Sequence, residues 1–471
     1  YPLGYVTVVA HPDHNMVDGV CDQCGFACDH SKAEKGDSVC PDCGAAFIAD
    51  ATAADGTVTR YTNADAALAA AAGNAKVTFV PGTYTLKNAV SFSGRIETEI
   101  DLNGATLQYA SGDQDVVLLI KETYENITIT LKNGTVQNTG EGTGIGLYSN
   151  TQNSARSALT LENVTVIGGV DTFNTRQAAV CVAKNNTLTV KSGSFSGPLD
   201  LNLDNNTVKL YGGTYQNGIT GSMYRDGKWQ YQLSAEGYAA LLDNSDPAKQ
   251  YAYADGANGA VISYATVAER MNDSDDTNNS IRVVAHEHTM KDSACTQCGF
   301  VCTEHQYENG VCAICKAECP HANVDTSTRV CSDCGLTMVA AVTVKDSENN
   351  EVTTYAADLS DALDAAENGA TVTLLADAAV GTVPLEGKTV TLDLNGKTVK
   401  NSGGGSNNIL VGSSPSSASL IITGRGSFIS ESLTLVVKNG TLDLSQWTGD
   451  DSYIRNVTIS GAFIFFICPS G

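Results

Sequence analysis

The chain has 471 residues, of which 42% are hydrophobic, so it can form roughly two to four domains with sizeable cores. Its 52 acidic and 28 basic residues leave a net charge of -24, which argues against binding to the phosphate backbone of nucleic acid, because such binding needs a basic surface. No apolar run approaches the ~20 residues of a membrane span, so none is expected. The 45 glycines, with only 5 methionines and 2 tryptophans, are typical of an all-β, turn-rich protein.

The chain begins with the first of two windows that are rich in cysteine and histidine. All 7 histidines and 13 of the 15 cysteines lie in residues 11–43 and 286–334, and only Cys181 and Cys468 lie outside. The predicted segment 1–50 holds two sets of four: His11, His14, Cys21 and Cys24, then Cys28, His30, Cys40 and Cys43. The predicted segment 285–340 holds three more sets: His286, His288, Cys295 and Cys298, then Cys302, His305, Cys312 and Cys315, then Cys319, His321, Cys331 and Cys334.

Each set ends in Cys-x-x-Cys, and four of the five motifs are followed by glycine, as in CDQCG (Cys21–Gly25). Two thiolates at this spacing hold one tetrahedral ion from a tight turn, and glycine tolerates the positive φ that follows. Mixed cysteine and histidine ligands suit Zn²⁺, and four protein ligands leave no open position for metal catalysis. The sequence therefore predicts about five structural zinc sites. Neighbouring sets could exchange partners because the motifs abut.

Two other interpretations of the cysteines are weaker. A disulfide framework leaves the histidines as a coincidence, although disulfides in an oxidised sample are the main rival to zinc. A Cys-His nucleophilic site would not occur in five copies, and the spacings of haem or iron–sulfur sites are absent.

Residues 51–218 carry a repeat of short strand, polar corner and short strand. The repeats are DLNGATL, LKNGTVQN, LENVTVIGG, VKSGSFSG and LYGGTYQNG, and taking Gly104, Gly134, Val164, Gly193 and Gly213 as equivalent gives steps of 30, 30, 29 and 20 residues. Strand alternation places Ile127, Ile129 and Leu131 on one face. A single coil cannot bury its apolar face but stacked coils can, which predicts an all-β, parallel β-helix solenoid, with a β-sandwich as second choice. We interpret the Asn-x-Thr sequons as turn asparagines: Asn126, Asn133, Asn163 and Asn456.

Two alanine-rich stretches predict short helices. Thr62–Asn74 is expected to begin at an N-cap near Asn63 and to end at Gly73. Asp358–Gly369 repeats this pattern. Because the ends of a solenoid need covering, we expect each helix to close the N-terminal end of one solenoid.

A large duplication organises the rest of the chain. Val6–Cys28 parallels Ile281–Cys302, which indicates a tandem array of one module. Residues 219–284 are predicted to form a small cap or linker with a turn at Asp255-Gly256. A second solenoid is expected over residues 341–471, and it is expected to be truncated.

The stretch FVPGTYTL (Phe79–Leu86) followed by IDLNGATL (Ile100–Leu107) resembles the opening coils of the pectin-lyase-like right-handed parallel β-helix superfamily. The CxxCG knuckles resemble zinc-ribbon repeats. The combination is similar to large modular surface proteins of anaerobic gut Firmicutes. This resemblance implies a secreted, extracellular or cell-surface setting. It does not imply an enzyme, because many β-helices are adhesins.

The resemblance also directs attention to acidic residues on a strand face. VDTFNTRQ (Val170–Gln177) offers Asp171 and Arg176 as weak catalytic candidates, with Asp200 and Asp204 one coil further on. A polar loop with an exposed ion pair is the preferred interpretation of this cluster. Tyr211 and Tyr215 could line a sugar groove or pack at the surface, and Cys181 in AAVCVA is predicted to be a buried core thiol.

Two functions are consistent with these patterns. The first is a non-catalytic adhesin, binding or spacer module, with a host glycoprotein, a polysaccharide or an immunoglobulin as its partner and no indication of a homo-oligomer. The second is a polysaccharide lyase or glycoside hydrolase of the pectin-lyase-like type. Tandem duplication, structural metal and the absence of an evident catalytic set favour the first.

Overall fold

The computed structural model describes residues 16–17, 20–26, 28, 37–112, 115–121, 125–148, 156–172, 177–202, 206–225, 228–230, 232–272, 280–403, 406–413, 415–448, 453–461 and 464–465. The chain divides into two compact units, Tyr1–Val301 and Cys302–Gly471. Each unit contains parallel sheets and few helices, which confirms that the protein is mostly β.

Parallel strands of the first unit form three ladders, which together we call the first stack. The first ladder contains Lys76–Phe79, Ile96–Asp101, Thr187–Val190, Thr207–Leu210 and the leading halves of Ile127–Asn138 and Ser157–Ile167. The second contains Thr83–Thr85, Thr106–Tyr109, Gly193–Ser196, Gly213–Tyr215 and the trailing halves of the same two long strands. The third contains Val90–Phe92, Val116–Lys121, Thr143–Tyr148, Val180–Val182, Leu199–Asn202 and Ile219–Arg225. The chain visits the ladders in turn, so each coil adds one strand to each.

Apolar side chains fill the interior of the first stack in register. One column of side chains runs through consecutive rungs of the first ladder, and each member is at most 1% exposed: Val77, Ile100, Leu131, Leu161, Val190 and Leu210. Ile127, Ile129 and Leu131 point inward as predicted. Each such side chain contributes about 1.5–3 kcal/mol through its burial. No single coil could supply this interior, so the coils stabilise one another.

The observed register corrects one predicted equivalence. Gly134, Val164 and Gly193 stand opposite one another as predicted. Thr106, however, pairs with Thr135, so Gly104 lies one residue out of step with Gly134. Asn103 and Gly104 both have positive φ, 46° and 85°. Their corner is two residues longer than the corner at Asn133, because Asp101 and Thr106 pair with Lys132 and Thr135.

Helix α1 and a strand pair close the N-terminal end of the first stack. The strands Ala49–Thr52 and Val58–Tyr61 are antiparallel, and the former continues the sheet from Lys76–Phe79. Helix α1 (Ala64–Ala72) has Asn63 as its N-cap, whose side chain accepts a hydrogen bond from the amide of Ala66 at 3.0 Å, and it ends at Gly73. Its buried face packs into the core, as predicted, through Ala64, Ala67, Leu68 and Ala71.

Residues 235–285 cover the other end and are called the C-terminal cap. The strands Tyr251–Asp255, Val261–Ile262 and Ile281–Ala285 are antiparallel and join the sheet through Gly213–Tyr215. The helices are α2 (Ala235–Leu241) and α3 (Tyr264–Asn272), and a further strand, Lys228–Gln230, pairs with Ile219–Arg225. The carboxylate of Asp255 accepts hydrogen bonds from the amides of residues 257 and 258, which makes the predicted turn after Asp255.

The second unit contains a similar arrangement, the second stack. It begins with the antiparallel strands Ala340–Lys345 and Glu351–Ala356 and helix α4 (Leu359–Ala365), whose N-cap is Asp358 as predicted; the helix ends before the predicted Gly369. One set of parallel strands is Thr371–Leu374, Thr389–Asp393, Ala418–Gly424, Gly440–Trp447 and Ile464–Phe465. The other set is Ala378–Val380, Val383–Leu385, Lys397–Asn401, Asn407–Val411, Gly426–Val437 and Tyr453–Gly461.

Candidate metal centres

The five Cys-x-x-Cys motifs adopt one backbone conformation. In each, the amide of the first cysteine donates to the carbonyl oxygen five residues later, and the amide four residues later donates back to that cysteine, at 2.7–3.1 Å. The first cysteines are Cys21, Cys40, Cys295, Cys312 and Cys331. Four motifs follow short hairpins: Met16–Val17 with Val20–Cys21, Met290–Lys291 with Ala294–Cys295, Tyr307–Glu308 with Val311–Cys312, and Val324–Asp325 with Val330–Cys331. A bridge between Val39 and Ala46 spans the fifth motif, and equivalent bridges span the motifs that begin at Cys295, Cys312 and Cys331.

These turns bring the predicted ligands together in groups whose ligand atoms lie within 4.8 Å of one another. Three groups are complete predicted sets, with no exchange of partners: His286, His288, Cys295 and Cys298, then Cys302, His305, Cys312 and Cys315, then Cys319, His321, Cys331 and Cys334. The fourth group is Cys28, Cys40 and Cys43. Its predicted partner His30, and the predicted ligands His11 and His14 of the Cys21 set, lie outside the described residues.

Distances within the groups fit a tetrahedral metal site better than disulfides. The Sγ atoms of Cys28 and Cys40 are 3.7 Å apart, and those of Cys302 and Cys312, and of Cys319 and Cys331, are 3.8 Å apart. Two thiolates on one tetrahedral Zn²⁺, each about 2.3 Å from the ion, are separated by about 3.8 Å, whereas a disulfide joins sulfurs at about 2.05 Å.

The sulfur–imidazole distances lead to the same conclusion. His286 Nε2 lies 3.4 Å from Cys295 Sγ, and His288 Nδ1 lies 3.3 Å from Cys298 Sγ. His305 Nδ1 lies 3.6 and 3.3 Å from the sulfurs of Cys302 and Cys315. A tetrahedral ion with Zn–N of about 2.05 Å would separate nitrogen and sulfur by about 3.5 Å.

In two knuckles the first cysteine favours the thiolate form that binds metal, whereas burial raises the pKa of Cys298 and Cys302, in the same two groups, to about 12. Burial acts to raise the pKa of Cys295, but the amide groups of residues 297 and 298 and the His286 side chain outweigh it and lower the pKa to about 6. The pKa of Cys312 is likewise lowered to about 6 against its burial, by the amides of residues 314 and 315 and by His305. Because these N–H groups point at the sulfur, the backbone turn itself prepares a ligand.

The imidazole of His288 is held both by packing and by its place in the ligand group. The ring of His288 stacks on Phe300 with centroids 4.5 Å apart and an angle of 10°. Its Nδ1 faces Cys298, and its Nε2 is buried without a hydrogen-bond partner among the described residues. A metal on Nδ1 would fix the tautomer with the proton on Nε2.

Two of the four acidic and basic candidates lie in the described part of the chain, Asp171 and Asp200. Asp171 accepts a hydrogen bond from Gln177 Nε2 at 3.1 Å, and Arg176 and Asp204 lie outside the described residues. Asp200 accepts a hydrogen bond from the hydroxyl of Thr220 at 3.3 Å, and burial raises its pKa. Tyr215 is fully buried in the stack, so it cannot line a groove.

The prediction that Cys181 is a buried core thiol is wrong, and the conformation of Lys316 was not predicted. Cys181 is not a core residue: Val180 and Val182 point inward, and Cys181 lies on the opposite face, with Sγ 4.0 Å from a carboxylate oxygen of Asp200. Lys316 has the positive φ, 60°, that glycine has in the other four knuckles. The sequence already marks this knuckle as different, because CAICK is the one motif of the five without glycine after the second cysteine.

Comparison with protein-family models, with curated proteins and with solved structures finds no match for this chain. Within the described residues, no helix has the length and apolar character needed to cross a membrane. The family resemblance, the setting and the identity of the metal therefore stay predictions.

Proposed function

We propose that the chain is a non-catalytic adhesin, binding or spacer module of a cell-surface or secreted protein, held together by structural Zn²⁺. In this proposal both stacks are right-handed parallel β-helices of the pectin-lyase-like kind, and the Cys/His segments are zinc-ribbon-like. The coil lengths support the solenoid, since Thr106, Thr135, Thr165, Ser194 and Thr214 stand in successive rungs at steps of 29, 30, 29 and 20 residues.

The completeness of the ligand sets is the observation that carries this proposal. Each of the three complete groups already offers four side-chain ligands. Four ligands complete the coordination sphere of a tetrahedral ion and leave no position for a substrate or an activated water. Segments of this size have little apolar core, so a bound ion would supply much of their folding free energy. Zinc is favoured over other ions because the ligands are thiolate and imidazole in tetrahedral spacing.

The rest of the molecule suits a rigid display or spacer role. Repeated coils with an in-register core form an extended surface in which each rung supports the next. Host glycoproteins, polysaccharides and immunoglobulins are the proposed partner classes. The net charge of -24 disfavours strongly anionic members of these classes, particularly at low salt.

Elemental analysis of anaerobically prepared protein tests the metal part. We expect close to five zinc ions per chain, one for each set of four ligands, and sulfurs that react as thiols after chelation. A chain with well under four ions, or with mass-mapped disulfides among these cysteines, contradicts the zinc proposal.

A glycan and host-protein array, probed with metal-loaded protein, tests the binding part. We expect saturable binding to one ligand class and no product when acidic polysaccharides are incubated with the same preparation. Cleavage that survives purification and disappears in Asp171→Ala or Asp200→Asn would replace the binding module with the polysaccharide lyase or hydrolase.

A further inference from the structure

One of the candidate metal groups is built into the end of the first stack. The cap strand Ile281–Ala285 pairs with Gly213–Tyr215 and leads directly into His286, whose amide donates to the carbonyl oxygen of residue 250 at 2.9 Å. Cys295 and Cys298 are 3% and 0% exposed and share a small buried cluster with Ala252 of the cap. The group of His286, His288, Cys295 and Cys298 is therefore continuous with the C-terminal cap.

Tyr264, the first residue of α3, also links this cap to the metal group. Its backbone amide donates a hydrogen bond to the carbonyl oxygen of Cys298 at 3.1 Å. Its ring is 6% exposed and packs edge-to-face against Tyr253, with centroids 6.1 Å apart. The side chain thus enters the core with its hydroxyl directed away from solvent.

The hydroxyl of Tyr264 is a buried polar atom that makes no hydrogen bond of ordinary length and angle among the described residues, and the side chains of Cys298 and Asn244 are the polar groups that interact with it. The sulfur of Cys298 is positioned to accept a hydrogen bond from this hydroxyl, and the Asn244 side chain is positioned to donate one to it. A buried hydroxyl without a partner costs about 1–3 kcal/mol. A metal-bound thiolate beside it would accept its proton in a hydrogen bond and remove that cost.

We propose that Tyr264 is a positioning residue that donates a hydrogen bond from its hydroxyl to the metal-bound thiolate of Cys298, and thereby couples metal occupancy to closure of the first stack. The donor reduces the negative charge on the sulfur and fixes the Cys298 side chain. Loss of such outer partners typically lowers metal affinity about 10–100-fold. In return, a bound ion orders the start of α3 through the hydroxyl and the backbone amide of Tyr264.

The inference rests on the proposed metal site, and Tyr264→Phe in the full chain tests it because this variant removes only the oxygen. The matched control is Tyr238→Phe, which removes another buried hydroxyl of the same cap, one that donates to the carbonyl oxygen of residue 219 at 2.8 Å. Zinc-loaded proteins are titrated with a chromophoric chelator. We expect one ion per chain to be lost about 10–100-fold more readily in Tyr264→Phe and no such change in Tyr238→Phe.

Cobalt provides the second readout, which a purely structural role of Tyr264 would not move. In Co²⁺-loaded protein, we expect the thiolate-to-metal charge-transfer band of one site to shift in Tyr264→Phe and to be unchanged in Tyr238→Phe. Hydrogen exchange of wild-type protein provides a third, independent of any variant: removing metal should deprotect the amides of residues 264–272.

The failures of the two proposals are distinguishable. Unchanged affinity and an unchanged charge-transfer band in a folded, metal-binding Tyr264→Phe protein overturn the role of Tyr264 alone. Equal protection of α3 with and without metal overturns the coupling. A wild-type chain that takes up no ion at His286, His288, Cys295 and Cys298 overturns this inference together with the metal site.

Discussion

Phe195 and Tyr215 lie face to face in consecutive rungs of the first stack, with ring centroids 5.1 Å apart and ring planes inclined by 7°. Both side chains are 0% exposed. The spacing is close to the ~4.8 Å between hydrogen-bonded strands, so the stacking follows directly from parallel, in-register pairing. The interior of the stack is therefore made of side-chain columns, in which each paired strand of a ladder contributes one side chain.

Removing one ring from a side-chain column should destabilise the first unit strongly. We expect Phe195→Ala to lower the free energy of unfolding by about 3–5 kcal/mol, because it removes a fully buried ring and leaves a cavity between neighbouring coils. Urea denaturation followed by circular dichroism measures the loss. Ser194→Ala, one residue earlier and on the outward face, should change stability by less than about 0.5 kcal/mol. Similar losses in both variants would show that the inward and outward faces are misassigned.

Removing one ligand should remove one ion. We expect Cys331→Ser to bind one zinc ion fewer than wild type, because a serine hydroxyl does not supply the thiolate that lies 3.8 Å from Cys319 Sγ. Elemental analysis after gel filtration measures the ratio of zinc to protein. Cys181→Ser, which changes a cysteine outside every group, should keep the full complement. An unchanged ratio in Cys331→Ser would exclude this group as a metal site.

The knuckle at Lys316 should be improved by glycine. A left-handed backbone costs a non-glycine residue about 1–2 kcal/mol, and the hydrogen bond from Lys316 Nζ to the carbonyl oxygen of residue 313, at 2.8 Å, offsets only part of this. We expect Lys316→Gly to stabilise the zinc-loaded second unit by about 0.5–1 kcal/mol. Thermal unfolding of the zinc-loaded protein measures the change.

Gly335 provides the reverse comparison for the same conformation. Its φ is 73°, and a Cβ added there would meet no atom within 4 Å. Gly335→Ala should therefore lower stability by about 1 kcal/mol through the backbone alone. If Lys316→Gly were neutral while Gly335→Ala destabilised as expected, the lysine side chain would be contributing more than its one hydrogen bond.

The asparagine corners should be sensitive to both backbone and side chain. Asn133 has φ of 57°, its Nδ2 donates to Asp101 Oδ1 at 3.1 Å, and its Oδ1 accepts from Asn163 Nδ2 at 3.3 Å. We expect Asn133→Ala to cost about 2 kcal/mol, and Asn133→Gly about half as much because glycine tolerates the left-handed conformation. Chemical denaturation measures both. Equal costs would mean that the corner depends on the side-chain hydrogen bonds alone.

The ligand sets and the helix starts were predictable because each depends on a short stretch of chain. A Cys-x-x-Cys knuckle is closed by its own backbone amides, so the spacing in CSDCG already implies its geometry. Asn63 and Asp358 cap their helices through bonds to amides two or three residues away. Strand alternation likewise placed Ile127, Ile129 and Leu131 on one face before any tertiary contact was known.

The tertiary structure decided the features that depend on the combined lengths of successive corners, which are strand register and burial. The longer corner at Asn103-Gly104 shifts the register by two residues. The inward position of Tyr215 and the outward position of Cys181 depend on how each coil meets its neighbour. The approach of Tyr264 to Cys298 joins residues 34 positions apart through the packing of the cap. Local hydrogen bonds act within a few residues of sequence, whereas register and burial are set by the sum of all preceding turns, which no single motif in the sequence records.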